Sequence, residues 1–212
     1  MIDLHTHSLL SDGQLLPSEL ARRYEEKGFK AIAITDHADL SNLKFVAESI
    51  VEFCRHWPKG RIAVLPGVEL THLPLEQFEQ AVRFSRQKGL RIIVGHGETL
   101  AEPVVKGTNR AAIKAGVDIL AHPGLISEAD VKLAVKRGVF LELSARKGHC
   151  LGNGHVARLA LKYDAKLCIN SDAHAPSDIP GMAYFKSIGL GAGLSLKDLV
   201  KAYKEAVRLV KC

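Results

Sequence analysis

Cysteine is scarce and unpaired in this 212-residue sequence: Cys54, Cys150, Cys168 and Cys212 stand far apart, with no CxxC among them. That excludes a disulfide scaffold and leads us to expect reduced thiols in a cytoplasmic protein. No run of 18 apolar residues occurs, so no segment is built to span a bilayer. The start, Met1-Ile2-Asp3-Leu4-His5, has no basic stretch ahead of an apolar core and does not read as a signal peptide. Aromatic residues make up 6%, too few for a stacking platform along single-stranded nucleic acid. The net charge of +6 is spread along the chain without a basic block, at most a weak pull on anionic partners. With 47% hydrophobic and 25% charged residues, the chain reads as one ordinary globular domain, residues 1–212.

Short β-branched runs alternate with longer amphipathic stretches. Strands are expected at Ile2–His7, Ala31–Thr35, Ile62–Leu65, Arg91–Val94, Asp118–Ala121, Val139–Leu143 and Lys166–Ile169. Helices are expected near Pro17–Lys27, Leu43–His56, Leu75–Lys88, Asn109–Ala115, Glu128–Arg137, His155–Tyr163 and Leu196–Val210, several stopped by a glycine such as Gly28, Gly89, Gly116 or Gly138. Seven units of roughly thirty residues are the size of βα repeats. Strands this short and apolar suit a parallel sheet covered on both faces. Periodicity alone leaves open whether that sheet is doubly wound or closed into a barrel.

The ten histidines are the unusual feature. Strand-end slots take up roughly a tenth of such a chain, so about one histidine should fall there by chance. Six do: His5, His7, His37, His96, His122 and His174, joined by Asp12, Glu69 and Asp172. Strand C-termini converge on one mouth only in a closed barrel, whereas an open sheet gathers ligands at a switch point. His5 and His7 share a strand face, as do Asp172 and His174, and Glu142, Ser144 and Arg146. Imidazoles and carboxylates without thiolate suit Zn, Mn or Fe(II) better than Ca or Mg. Nine such ligands exceed the four or so that one zinc takes, so two or three ions are expected, with Glu69 as the natural bridge. Two ions can hold a hydroxide between them and stabilise both oxygens of an in-line displacement, as phosphoester hydrolysis requires.

The motifs His5-Thr6-His7-Ser8 with Ser11-Asp12-Gly13, Ile34-Thr35-Asp36-His37, Pro66-Gly67-Val68-Glu69, Ala121-His122-Pro123 and Ser171-Asp172-Ala173-His174 resemble the polymerase and histidinol phosphatase (PHP) family, in family order from residue 3 to about 175. The resemblance implies an α/β fold, a distorted (β/α)7 TIM-like barrel, with a trinuclear centre of Zn, Mn or Fe. It implies one ion on His5, His7, Glu69 and Asp172, a second on Glu69, His96 and His122, and a third on Asp12, His37 and His174. Asp12 departs from the pattern, since family members often have a histidine there. The activity implied is hydrolysis of a phosphate ester, most simply a small-molecule phosphomonoester such as histidinol phosphate.

Other residues have two readings each. Arg146 is a candidate phosphate grip or a solvated loop arginine. Lys106 and Arg110, beside a helix N-terminus, form a second candidate anion grip. His72, His149 and His155 are substrate contacts or general acids on one reading and packing residues on the other, while His56 reads as structural. Asp12 is also a candidate proton donor to the leaving alkoxide. Glu98 either reaches the pocket or caps a loop, and Asp36, of the wrong parity for the pocket, is expected to support the ligands from behind or to cap a helix. The rival functions are hydrolysis at carbon, as in amidohydrolases, a nuclease or DNA-repair phosphodiesterase, and a non-catalytic metal-binding domain. Amidohydrolases generally have eight units and a metal-bridging strand-end lysine, and neither is evident here.

Overall fold

The computed structural model describes residues 1–211, and Cys212 lies outside the described residues. Its elements are β1 (Ile2–Asp3), α1 (Pro17–Glu26), β2 (Ala31–Ile34), β3 (His37–Ala38), α2 (Leu43–His56), β4 (Ala63–Leu70), α3 (Phe78–Gln87), β5 (Ile92–His96), α4 (Thr108–Ala115), β6 (Ile119–Ala121), α5 (Glu128–Arg137), β7 (Phe140–Ser144), α6 (Asn153–Tyr163), β8 (Leu167–Asn170), α7 (Met182–Gly191) and α8 (Leu196–Lys211). The strands run parallel in the order β1-β2-β4-β5-β6-β7-β8, and β3 continues the line of β2 alongside β4. The two ends of the sheet meet. Thr6 bridges Ala173, the His7 N–H donates to the Ala173 carbonyl at 2.9 Å, and the Asp172 N–H donates to the His5 carbonyl at 3.0 Å. The result is a nearly closed seven-staved barrel, the alternative that the histidines at the strand ends favour over an open sheet.

Alternation along the staves makes an apolar floor and a polar top. Leu65 on β4, Ile92 and Val94 on β5, Ile119 and Ala121 on β6, Phe140 on β7 and Cys168 on β8 pack together inside the barrel. Ala206 of α8 joins them, with Val207, Leu209 and Val210 packed alongside, so the last helix plugs the lower end. Each aliphatic or aromatic side chain buried there contributes about 1.5–3 kcal/mol. Continuing upward at the same parity brings Glu69, His96, Glu142 and Asp172 to the top of their staves. The alternate residues, among them Ile32, Ile34, Val68, Ile93, Leu120, Leu141 and Leu143, pack outward with the helices.

Local signals explain most boundaries. Helix α5 begins after Ser127, whose hydroxyl accepts the Asp130 N–H, and ends at Gly138 in the left-handed region (φ 73°). Two expectations need correction. The third strand does not stop at Leu65 but runs through Pro66 to Leu70. Pro66 is tolerated because its carbonyl still accepts the Arg91 N–H at 2.8 Å, and Gly67 lets β2 and β5 press close, since a Cβ there would lie 2.9 Å from the Ile92 oxygen. Helix α7 was not expected at all. Its sequence is rich in glycine, and Gly189 is there because Leu199 and Ile169 fill the space of a side chain.

Gly97, just past β5, allows the ends of β5 and β6 to touch. Its N–H donates to Ala121 O at 3.1 Å, and a Cβ on it would lie 2.2 Å from that same oxygen. Gly97→Ala should therefore lose about 1–3 kcal/mol in urea unfolding. Gly154→Ala in α6, where nothing lies within 4 Å, should instead gain about 0.4–1 kcal/mol. Equal stabilities for the two variants would contradict this packing.

Candidate metal centre

Glu69 is fully buried at the hub of the barrel mouth. Its Oε2 stands 3.3 Å from His5 Nε2, 3.6 Å from His7 Nε2 and 2.9 Å from His37 Nδ1, while Oε1 is 3.5 Å from His122 Nε2. Asp172 is the second buried carboxylate, 3.3 Å from His7 Nε2, 3.4 Å from His174 Nδ1 and 3.7 Å from His122 Nε2. The exposed Asp12 approaches His174 Nε2 at 3.3 Å and His37 Nε2 at 3.6 Å. Three ligand groupings follow: His5, His7 and Asp172; His5, Glu69 and His122; and His7, Asp12, His37 and His174.

His37, Glu69, His96 and Asp172 reach the mouth at strand parity, whereas His122 follows inward-facing Ala121 and needs a change of backbone hand. His122 (φ 28°) and Asp172 (φ 55°) lie in the left-handed region, where non-glycine residues are uncommon and which functional sites often use. Behind the ligands, Glu142 Oε2 takes a hydrogen bond from His5 Nδ1 at 2.8 Å, which leaves Nε2 facing Glu69 and Asp172. Asp36 accepts from the Ser8 N–H and from the hydroxyls of Ser8 and Ser11, each at 2.7 Å, and so supports the loop that carries Asp12.

Electrostatics sort the cluster. Burial pushes the Glu69 carboxyl up, but His5, His37 and His96 outweigh it and hold that group well below its usual range. Asp172 is likewise depressed against burial by His5 and His7. Burial, reinforced by His37, lowers His7 to about 3, and burial with His122 lowers His149 to about 4. The carboxylates in turn raise His5, His37 and His96 against their burial, so ligation of divalent ions there would release imidazole protons. Asp12 is also held low against its partial burial, by His174 and His37. It therefore stays ionised, which suits a ligand and argues against the expected proton-donor role.

Nine buried side-chain atoms find no hydrogen-bond partner among the described residues: His5 Nε2, both nitrogens of His7, both oxygens of Glu69, and one atom each of His96, His122, Glu142 and His149. At about 1–3 kcal/mol for each unsatisfied group, such a set would cost as much as a whole domain's stability. Among them His5 Nε2, His7 Nε2 and the two Glu69 oxygens face one another across the mouth, and the chemistry of the set fits divalent cations.

The remaining expected residues divide. Arg146 lies beside the cluster: its Nη1 donates to the Asp172 carbonyl at 3.1 Å, and its Nε is 3.8 Å from Asp172 Oδ2. His149 is buried there too, its ring 4.2 Å from that of His122. Arg110 is not brought to the mouth. It pairs with Asp130 at 2.6 Å, and exposed Lys106 makes no ion pair among the described residues. The N-terminus of α4 is not open to an anion either, because Glu98 already accepts the N–H groups of Gly107 and Asn109. Glu98 is thus the loop cap. His155 Nε2 donates to the Ile126 carbonyl at 2.8 Å, away from the ligands, and His56 pairs with Glu52 on the surface. His96 turns toward Glu102, 3.1 Å away, a loop residue that no periodicity marks.

Residues 3–101 match the PHP domain family. The chain is 43% identical over 202 residues to "Uncharacterized protein MJ1295" of Methanocaldococcus jannaschii, covering 93% of this chain and 92% of that one. It is 27% identical over 241 residues to "Probable phosphatase Teth514_1060" of Thermoanaerobacter sp., covering 98% and 94%. The crystal structure of histidinol phosphate phosphatase from Lactococcus lactis, complexed with zinc, L-histidinol and phosphate, superposes with a TM-score of 0.64 at 15% identity, covering 92% of this chain and 94% of that one. At that identity the likeness is one of fold.

Because Glu142 Oε2 holds the His5 ring, Glu142→Gln should weaken zinc binding about 10–100-fold and leave the fold intact. A zinc titration followed by calorimetry reads this directly, and unchanged affinity would remove Glu142 from the centre.

Proposed function

Because the chain belongs to the PHP family, we propose that it is a metal-dependent phosphoesterase acting on a small-molecule phosphate ester. The observation that carries this reading is the set of unpartnered imidazole and carboxylate atoms around buried Glu69. His5, His7, Glu69, His122 and Asp172 would hold the inner ions, Asp12, His37 and His174 an outer one, and His96 stands at the rim. Divalent ions bound there supply an activated water and stabilise charge on both reacting oxygens. The protein's own contribution is positioning. The apolar floor keeps the ligand ring rigid, Glu142 fixes the His5 ring, and Asp36 fixes the loop of Asp12. Arg146 lies where its guanidinium can turn from the Asp172 carbonyl to two phosphoryl oxygens, neutralising charge on the transferring group. The relative named a phosphatase and the fold of histidinol phosphate phosphatase support a phosphomonoester as the simplest substrate.

Phosphate release from a panel of phosphomonoesters and phosphodiesters, histidinol phosphate included, tests the proposal with added manganese or zinc and a chelator control. One substrate should stand well above the rest, and chelation should stop its turnover. Glu69→Ala and His122→Ala should each lose more than about 100-fold, the upper end for losing a mere outer partner of a metal ligand, with circular dichroism unchanged. Activity retained in either variant, or silence across the panel from metal-loaded protein, would contradict the phosphoesterase reading. Silence would turn attention to hydrolysis at carbon or to nucleic acid.

A further inference from the structure

A phosphate ester has two parts, and the ligand cluster provides for only the phosphoryl group. A cavity of about 610 Å³ opens beside that cluster, between the loop that follows β7 and the loop that leads into α7. Arg146 is the wall that the two share. Its Nη1 donates to His174 Nδ1 at 2.7 Å and its Nε stands 3.8 Å from Asp172 Oδ2, while the same residue lines the cavity with Lys147, Ser177, Asp178, Ile179 and Tyr184. Resting on the phosphoesterase reading above, we propose that this cavity receives the leaving alcohol and that Lys147 selects alcohols carrying an anionic group of their own, a carboxylate or a second phosphate.

Volume, charge and rigidity support the assignment. The cavity falls within the range of about 300–1,000 Å³ usual for small-molecule sites, more than a phosphate alone needs. Its charged wall is cationic on balance, Arg146 and Lys147 against Asp178. Asp178 is already committed, since its Oδ2 accepts the N–H groups of His174 at 3.1 Å and Ala175 at 2.9 Å. Lys147 is exposed and makes no ion pair or hydrogen bond among the described residues, so its ammonium is available to a ligand. An ammonium is a point charge without a preferred plane and pairs with a carboxylate or a phosphate alike. Buried Ile179 and half-exposed Tyr184 offer apolar and aromatic surface to the carbon skeleton. The loop that carries both cations is held in place: the Ala145 N–H donates to the Asn170 carbonyl at 2.9 Å, the Cys150 N–H donates to the Arg146 carbonyl at 3.1 Å, and Gly148 makes the turn between them in the left-handed region (φ 87°). A leaving group that bears an ammonium, as histidinol does, would meet like charge at this wall.

The test is steady-state phosphate release by the metal-loaded full chain from a matched set of esters: glycerol phosphate, phosphoglycerate, glycerol bisphosphate and histidinol phosphate. Phosphoglycerate or glycerol bisphosphate should exceed glycerol phosphate in kcat/KM by about fivefold or more, the upper end for an exposed ion pair, with histidinol phosphate lowest. Whichever of the two stands higher names the anion. Lys147→Met should remove most of that margin through KM rather than kcat, and Lys147→Arg should keep it. Lys147 is exposed, so both variants are expected to fold. A wild type without the margin, or a margin that survives Lys147→Met, would overturn this inference alone. Metal-loaded protein that releases phosphate from none of these esters, nor from the wider panel, would overturn it together with the phosphoesterase reading.

Discussion

The controlling constraint is the burial of polar ligand atoms that the protein leaves unpaired. Glu69, with no exposure and with imidazoles of His5, His7, His37 and His122 around it, is stable only if something shares its charge. The rest of the barrel serves to keep that ring from relaxing. The apolar floor of Leu65, Ile92, Val94, Ile119 and Phe140, sealed by α8, fixes the staves below it. The hydrogen bonds between His5, His7, Asp172 and Ala173 then draw the two ends of the sheet together at the level of the ligands. A looser sheet could let the imidazoles turn to water, whereas a closed one presents them to a common centre.

How a ligand reaches that centre determines whether the sequence reveals it. His37, Glu69 and His96 continue the inward alternation of their strands, so counting by twos from Ala33, Leu65 and Val94 finds them. Asp172 follows likewise by twos from Cys168, whereas His122, next to inward-facing Ala121, was found through its motif and strand-end position, and its inward turn depends on left-handed backbone that counting does not foretell. The strand starting at Ile2 also departs from simple alternation. Leu4 packs in the barrel interior while its neighbour His5 joins the ligands, as the His5 N–H bends back to Asp3 Oδ1.

Loops are where sequence reasoning gave out. Lys106 and Arg110 look like an anion grip in one dimension, but Asp130 already holds Arg110 and Glu98 already takes the N–H groups at the start of α4. Glu102, next to Pro103 and in no periodic pattern, lies against His72, His96 and His149 only because the β5–α4 loop folds over the mouth. Helix α7 was illegible for a related reason. Gly189 carries no apolar side chain to mark a buried face, yet that lack is what allows α7 to sit against Leu199 and Ile169.

Metal dependence of folding itself tests the central claim most directly. Urea unfolding should be followed across a series of free zinc concentrations, from chelated to saturating. If ions complete the buried ring, stability should rise by about 1.4 kcal/mol for each tenfold increase in zinc and for each ion released on unfolding. A slope corresponding to two or more ions is the predicted result. Stability independent of zinc over the whole series would contradict the account, because the unpaired ligands of the mouth would then be accommodated by the protein alone.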